Sequence, residues 1–310
     1  KQYSYGNAQT ADLWNSLSEV SGKDVQGMMQ GWTKQTGFPL LTLEEDETAP
    51  EGVLRLKASQ TRFLQTGPDV NATALWPIPI DFVVAGQASQ APSRVFGERS
   101  GFIDIDLKSI GVNGKPAWLK FNVAQAAMYR VRYPPRLFAA LCQAVKERDP
   151  LLTPADRLGV QSDAFSLTRC GLLSTVQLLE LVRSYKNEDD YTVWADLISN
   201  LSDIAVLLQS DPSCFTLFSQ YVHDLISVIL PKVGWTKVEG ESHTTSLLRA
   251  RIIGVAIKYE HPETIQTALN KFAAFFGSGQ AMNVAGADAA STLSPDLRSS
   301  VYSAVVAHGG

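Results

Sequence analysis

The sequence predicts an α+β protein of several domains, with short helices first, then a small β-sandwich, then a long and mostly α-helical region. Two changes in the spacing of apolar residues indicate this order. From about Glu44 to Tyr133 apolar and polar residues alternate, as in half-buried strands, and beyond Pro134 apolar residues recur every three or four positions, as in helices. The length of 310 residues corresponds to about two domains that can each bury a core.

Residues 1–43 have the pattern of two short helices and a strand. Thr10 is placed to cap the first helix, which Ser21-Gly22 interrupts, and the second helix stops at Gly37 before an extended segment at 38–43. The apolar faces of these helices consist of Leu13, Trp14, Leu17 and Val20 in the first and Val25, Met28, Met29 and Trp32 in the second.

Residues 44–134 predict a small β-sandwich. Alternating runs occur at 53–57, 78–83, 101–106 and 118–123. Asn113-Gly114 favours a hairpin turn between the last two runs, because both residues tolerate positive φ. Pro77 and Pro79 indicate an edge strand or a bulge, because proline cannot donate a ladder hydrogen bond.

Residues 135–310 predict antiparallel helices in a solenoid or bundle. Helical segments are expected from Leu137 and at about 154–170, 174–186, 190–209, 213–231, 244–259, 262–276 and 294–307. The Gly-, Ala- and Ser-rich stretch 277–291 has the composition of a loop or linker.

The composition excludes several classes of protein. Hydrophobic residues make up 45%, charged residues 19%, and the formal net charge is -4, which argues against nucleic-acid and membrane partners. Cys142, Cys170 and Cys214 are odd in number and widely spaced, so we expect reduced packing residues of a cytoplasmic protein.

The sequence offers no catalytic or metal-ligating constellation. It contains no HExxH, CxxC, GxSxG or phosphate loop, and its nearest histidines, His243 and His261, are too far apart to share one helix face. Ser166, Ser246 and Cys170 have no histidine nearby in sequence to serve as a base. We therefore predict no catalytic residue and no metal ligand within the chain.

Arg157 and Asp163 are the candidates for a substrate-facing role. Thr153-Pro154 predicts a helix start, which puts Asp156 in the first turn, where a carboxylate interacts well with the helix dipole. Arg157 and Asp163 follow on this helix. They either form helix salt bridges or point into a substrate cavity.

Several motifs together resemble the M1 family of zinc aminopeptidases. The segments are Tyr5-Gly6-Asn7-Ala8, residues 12–14, 21–24 and 32–39, 118–122, Tyr129-Arg130-Val131-Arg132-Tyr133, 156–167, 191–197 and 293–299. They occur in one order along the whole chain. Ala127-Met128 departs from the family pattern, in which glycine and an aromatic residue usually precede the residue equivalent to Tyr129.

The resemblance implies a position within a larger enzyme. Residues 1–43 would be the end of a thermolysin-like catalytic domain, 44–134 a β-sandwich, and 135–310 the first part of a helical bowl. The family's GxMEN segment, its HExxH zinc ligands and its transition-state tyrosine have no counterpart here. Zinc is therefore expected in the parent enzyme and not in this chain.

Two hypotheses follow. In the first, the chain is an inactive part of a cytoplasmic aminopeptidase that removes N-terminal residues from peptides, and it supplies the spacer sandwich and part of the wall of the peptide chamber. In the second, it is a stand-alone, non-catalytic peptide-binding or scaffold protein. The family's bowl continues past the position of Gly310, so we also expect self-association through the last helix, whose stripe is Leu297, Val301, Tyr302, Val305 and Val306.

Overall fold

The computed structural model describes residues 3–67, 69, 73–277 and 293–309, except for the side chains of 88–93. The chain divides into two compact units. The first consists of residues 1–144 and 149–178, and the second of residues 145–148 and 179–310. Strands give way to helices at Pro134-Pro135, but the first unit also includes residues 135–144 and 149–178, most of which are helical.

The first unit contains a β-sandwich, which confirms the α+β prediction. Its strands are β1 Pro39–Asp46, β2 Val53–Arg62, β3 Ile78–Val84, β4 Gln87–Phe96, β5 Ser100–Asp106, β6 Leu119–Phe121 and β7 Arg130–Arg132. One sheet has the order β5-β2-β1-β7 and the other the order β4-β3-β6. Both contribute to one core that includes Leu41, Leu56, Trp76, Ile78, Phe96 and Phe121. Full burial of each such side chain contributes about 1.5–3 kcal/mol.

The hairpin predicted at Asn113-Gly114 is wrong. β5 pairs with β2 in one sheet, whereas β6 pairs with β3 in the other. The segment between them carries the chain from sheet to sheet, and only Gly114 of the two residues has a positive φ, of 77°. Asn-Gly indicates only that the backbone can adopt a positive φ. A connection between two sheets can use that property as readily as a hairpin can.

Pro79 lies in an irregular part of β3, as its residue type predicted. β3 is the middle strand of its sheet, but β6 pairs only with residues 82–84. The first half of β3 therefore has β4 as its one strand partner, and the pairing with β4 shifts register on both sides of Phe82. A proline without an amide hydrogen is tolerated in such a half-edge position.

Two helices precede the sandwich, α1 Thr10–Ser21 and α2 Val25–Thr33. Gln9, and not Thr10, caps α1 through a capping box with Asp12. No residue of α1 is buried, and Val20 is 89% exposed. In α2, by contrast, Trp32 packs on the sandwich core and its indole N–H donates to the Pro77 carbonyl at 3.2 Å.

Three helices follow β7, namely α3 Pro135–Lys146, α4 Pro154–Arg169 and α5 Thr175–Arg183. Beyond them are α6 Tyr191–Leu208, α7 Pro212–Ile226, α8 Ile229–Val233, α9 His243–Lys258, α10 Pro262–Gly277 and α11 Pro295–His308. The predicted helical segments are confirmed to within a few residues at each end, except that the segment predicted at 213–231 is divided into α7 and α8. Of the predicted loop 277–291, residues 278–291 lie outside the described part of the chain.

The second unit is organised around α9, which packs against α6, α7, α8, α10 and α11. Asp190 and Asp211 cap α6 and α7 by accepting two backbone N–H groups each. In α11 the predicted stripe is divided. Leu297 and Val301 are buried with Ala304, whereas Val306 is 89% exposed.

Candidate functional site

Both candidate residues, Arg157 and Asp163, lie on α4, which belongs to the first unit. The helix begins as its sequence predicts, since Pro154 occupies the first turn and Thr153 forms a capping box with Asp156. Asp156 is nevertheless fully buried. It therefore does more than cap a solvated helix end.

Asp156 forms a buried ion pair with Lys120 of β6. The ammonium Nζ lies 2.9 Å from Asp156 Oδ1 and also donates to the backbone carbonyls of Phe121 and Asn122, at 3.0 and 2.6 Å. Its three hydrogens thus have three acceptors. The carboxylate in turn accepts from the Ala124 N–H at 2.6 Å and from Thr153.

Burial and the ion pair have opposite effects on the pKa of each of the two groups. Burial acts to raise the pKa of Asp156, but Lys120, Thr153 and the Ala124 amide outweigh it, so the pKa of Asp156 lies below its ordinary value. Burial lowers the pKa of Lys120, and Asp156 opposes that shift. Separating such a pair leaves an uncompensated buried charge, so the contact ties the helix to the sheet.

Asp163, two turns further along α4, holds the edge strand β7. Its Oδ2 accepts the Val131 N–H at 3.0 Å and its Oδ1 accepts from Arg130 Nη1 at 3.1 Å. A carboxylate here takes the place that a further strand would have beside β7. The same guanidinium lies over the rings of Phe63 and Phe38, at 5.1 and 5.7 Å from their centroids.

Burial raises the pKa of Asp163 to about 6, against the opposing effects of Arg130 and the Val131 amide. Burial also raises the pKa of Asp81, whose Oδ1 lies 3.5 Å from the Tyr129 hydroxyl. We call Asp81, Lys120, Arg130, Asp156 and Asp163 the charge cluster.

Arg157 is also buried, with 4% of its surface exposed, and Nη1 donates to the Leu152 carbonyl at 2.6 Å. It does not line either of the two cavities that border Asp163. The sequence thus placed Arg157 and Asp163 on one helix correctly, but Asp163 alone of the two borders open space. Contact of either residue with a substrate stays a prediction.

The loop from Asn122 to Ala127 is backbone-strained and held by α4. Asn122, Ala124 and Gln125 have φ of 56°, 52° and 56°, each costing about 1–2 kcal/mol for a residue other than glycine. The Asn122 side chain bridges the loop by donating to the Ala127 carbonyl at 2.8 Å and accepting the Ala127 N–H at 2.9 Å. The departure from the family pattern at Ala127 introduces no positive φ there.

Gly159 makes room for this loop on α4. A Cβ at position 159 would lie 1.6 Å from Nε2 of Gln125. The glycine, unfavourable within a helix by about 1 kcal/mol relative to alanine, is thus explained by close packing.

Two cavities flank the Arg130–Asp163 pair. One of them, which we call the β7 cavity, measures about 350 Å³ and is lined by residues of β1, β7, α3 and α4 and by Leu172, Leu173 and Gln177. The other, about 400 Å³, lies on the side of Phe38, Met128 and Ser162. Asp163 borders both.

The remaining candidates for chemistry are engaged in packing. Ser246 donates to Glu241 at 2.7 Å, and Glu241 forms an ion pair with Arg249. Cys170 is buried, and its thiol donates to the Leu167 carbonyl at 3.3 Å. Across the described ranges of the chain, no three His, Cys, Asp or Glu side chains are grouped to hold a metal ion.

One pair of histidines was missed from the sequence. The rings of His223 and His261 lie 5.0 Å apart, and His223 Nε2 contacts the Tyr259 carbonyl at 2.6 Å. Burial, then the neighbouring His223, lower the pKa of His261. Thirty-eight positions separate the two residues in sequence, so no local spacing signals the contact.

Lys120 and Arg130 were also missed as members of the site. Lys120 carries a signal in retrospect, because it is a lysine within the apolar run Trp118–Val123 at a position where the strand is buried on both faces. Arg130 carries none, since an arginine at the edge of a sheet is ordinarily solvated.

Within the described residues, every helix is too short or too polar to cross a membrane.

Comparison with known proteins shows one consistent relationship. Residues 118–310 match the ERAP1-like C-terminal domain. Over 99% of its length the chain is 32% identical to aminopeptidase M1 of Arabidopsis thaliana, and over 100% it is 32% identical to aminopeptidase 2 of Candida albicans. Identity to the puromycin-sensitive aminopeptidase of Caenorhabditis elegans is 26%. The chain spans about a third of these relatives: 34%, 31% and 31% of their lengths.

Proposed function

Because this chain belongs to the family of ERAP1-like C-terminal domains, we propose that it is part of a zinc-dependent M1 aminopeptidase that removes N-terminal residues from peptides. In this proposal its sandwich acts as a spacer and its helices form part of the wall of the peptide chamber. The chain itself is inactive. The observation that carries the proposal is similarity over nearly the whole chain to proteins named aminopeptidases, of which it spans about a third.

The charge cluster supports a structural role for this part of the enzyme. Lys120 and Asp156 are 1% and 0% exposed, and the three ammonium hydrogens of Lys120 are matched to acceptors. A general acid or base must instead reach a proton on the substrate. The Lys120–Asp156 pair is better suited to fixing α4 on the sandwich than to catalysis.

The zinc ion of such an enzyme would be held by residues outside this chain. A catalytic zinc needs three protein ligands and an open position. The described residues do not fit this requirement, because no three of their His, Cys, Asp and Glu side chains are placed to hold one metal ion. When bound in the parent enzyme, zinc would polarise the scissile carbonyl and activate a water molecule.

The proposal extends to compartment and partners. Cys142, Cys170 and Cys214, all within the described residues, form no disulfide, which is consistent with a reducing, cytoplasmic location. Cys170 is buried as a packing residue, but Cys214 is exposed, so the expectation of a packing role is wrong for Cys214. We propose peptides as the partners of the parent enzyme, and neither nucleic acid nor membrane. The alternative remains a non-catalytic peptide-binding or scaffold protein built from the same domains.

The experiment that tests the proposal compares this chain with the protein encoded by its uninterrupted reading frame. We expect the longer protein to contain GxMEN and HExxH segments upstream and to hydrolyse aminoacyl fluorogenic amides in a chelator-sensitive manner. The 310-residue chain is expected to show no turnover and no stoichiometric zinc after dialysis. A reading frame without those segments would favour the scaffold alternative, and one tightly bound zinc in the chain itself would contradict the assignment.

A further inference from the structure

The β7 cavity has the construction of a small-molecule site. Its volume of about 350 Å³ falls in the range of ligand pockets, roughly 300–1,000 Å³. Apolar side chains form most of its wall, among them Phe138, Val160, Leu167, Leu172 and Leu173. Asp163 is its one buried charged residue, 8% exposed. Apolar walls around a few polar groups are typical of sites that fix the orientation of a ligand.

The charges around Asp163 favour a cation in this cavity. The charge cluster contains three carboxylates, from Asp81, Asp156 and Asp163, and two cations, from Lys120 and Arg130. Lys120 is directed to Asp156 at 2.9 Å, and Arg130 reaches Asp163 with one nitrogen at 3.1 Å. With all five groups ionised, the cluster carries one negative charge in excess, and an added cation would offset the cost of burying it.

Asp163 also has unused hydrogen-bonding capacity. A carboxylate offers about four lone-pair sites. The two contacts of Asp163 from the sheet use one on each oxygen, namely Val131 N–H on Oδ2 and Arg130 Nη1 on Oδ1. A donor entering from the β7 cavity could therefore bind Asp163 while both contacts persist.

We propose that the β7 cavity binds a small molecule that carries a primary ammonium group on an apolar body, with the ammonium on Asp163 and the body against the Phe138, Val160 and Leu173 wall. The inference does not rest on the proposed aminopeptidase function. Two sources share this chemistry, a simple aliphatic amine and a free apolar amino acid. Arg132 at the cavity rim is exposed and is suited to the carboxylate of the second.

The test is calorimetric titration of the 310-residue chain at pH 7.5 with three probes that share a 3-methylbutyl body. We expect 3-methylbutan-1-amine to bind, and 3-methylbutan-1-ol, which lacks the charge, to bind at least tenfold more weakly. Leucine adds the carboxylate. Tighter binding of leucine than of the amine, lost on Arg132→Ala, would support the amino-acid source, and the reverse order would support the simple amine.

Two variants place the ligand, and one serves as a control. Asp163→Asn keeps the shape and removes the charge, and is expected to weaken amine binding at least tenfold. Leu173→Trp fills the cavity at a half-buried position and is expected to abolish binding of all three probes, which keeps the test decisive where Asp163→Asn fails to fold. Asp104→Asn, at a side chain 44% exposed, should leave binding unchanged.

Binding should also depend on pH through Asp163. The charged groups around it are Arg130 on β7, Lys120 on β6 and Asp156 on α4, with Asp81 beyond them and Arg132, Glu44 and Glu45 at the rim. The titratable hydroxyls of Tyr129 and Tyr133 also interact with Asp163. Because the pKa of Asp163 is about 6, roughly a tenth of it is ionised at pH 5, and amine binding should weaken about tenfold there.

Three results would overturn the inference. The first is equal binding of the alcohol and the amine, and the second is amine binding that persists in both cavity variants. The third is no amine binding up to 10 mM, which means a binding free energy weaker than about 2.7 kcal/mol.

Discussion

Replacing Lys120 with methionine should destabilise the first unit severely. The substitution keeps most of the apolar stem and removes the ammonium, so its main effect is electrostatic. Asp156, fully buried, would lose its only ion-pair partner among the described residues while retaining the Ala124 and Thr153 donors. Two carbonyls, those of Phe121 and Asn122, would lose a hydrogen bond as well.

The expected loss of unfolding free energy is about 3–5 kcal/mol, the usual cost of leaving one partner of a buried ion pair alone. Adding Asp156→Asn removes the stranded charge and should recover part of the loss, giving a coupling energy of about 1–3 kcal/mol in a double-mutant cycle. Arg55→Met is the matched control, because Arg55 and Asp104 pair at 2.7 Å with side chains 30% and 44% exposed. Such a surface pair contributes about 1 kcal/mol or less.

The measurement is hydrogen exchange of peptides from β6 and α4 across a urea series, because two compact units need not unfold together. Of the two single variants Lys120→Met and Arg55→Met, only Lys120→Met is expected to reduce the protection of these peptides. A loss no larger than that of Arg55→Met, or a coupling energy near zero, would refute the view that this pair fixes the helix on the sheet.

Three further predictions follow from packing. Gly159→Ala should destabilise by about 1–3 kcal/mol despite its better helix propensity, because its Cβ would meet Gln125. Gly277→Ala, whose Cβ would have no atom of the described residues within 4 Å, should be near neutral in urea unfolding. Deleting residues 1–22 should leave the melting temperature unchanged within about 2 °C. Deleting residues 1–36 should lower it by several degrees, because Trp32 packs on the core. Equal effects of the two deletions would contradict this prediction. We also predict concentration-dependent self-association in light scattering, broken by Val306→Asp at an 89% exposed position, whereas a monomer at every concentration would contradict it.

The sequence predicted local structure well because local patterns determine it. The strands around Leu54 and Ile103 alternate in burial as their residues alternate in polarity, and Pro154 begins a helix where expected. The N-terminal helices were located correctly except for the end of the second, which is at Thr33 and not at Gly37. The sequence could not show that only the second helix packs on the sandwich, because Val20 and Trp32 both belong to apolar faces and only tertiary contacts distinguish them.

The candidate site was predictable only in part. Asp163 was singled out from its place on a helix, and its contact with Val131 depends on how β7 meets α4, which local spacing does not encode. The same limit applies to Lys120, whose partner lies 36 positions away. Val301, part of the stripe expected to take part in self-association, is fully buried, so a change there would test the core and not a contact between copies.

The strained loop has a consequence for how the first unit acquires its structure. Left-handed backbone at Asn122, Ala124 and Gln125 is unfavourable by itself. Besides the Asn122 side chain, α4 compensates for it through Asp156 and the space at Gly159. The loop and β6 should therefore reach their final form only once the chain up to α4 has been made and has docked. A gene truncated at Pro134 would leave the sandwich without this support, so the smallest segment to transplant into another protein ends near residue 178.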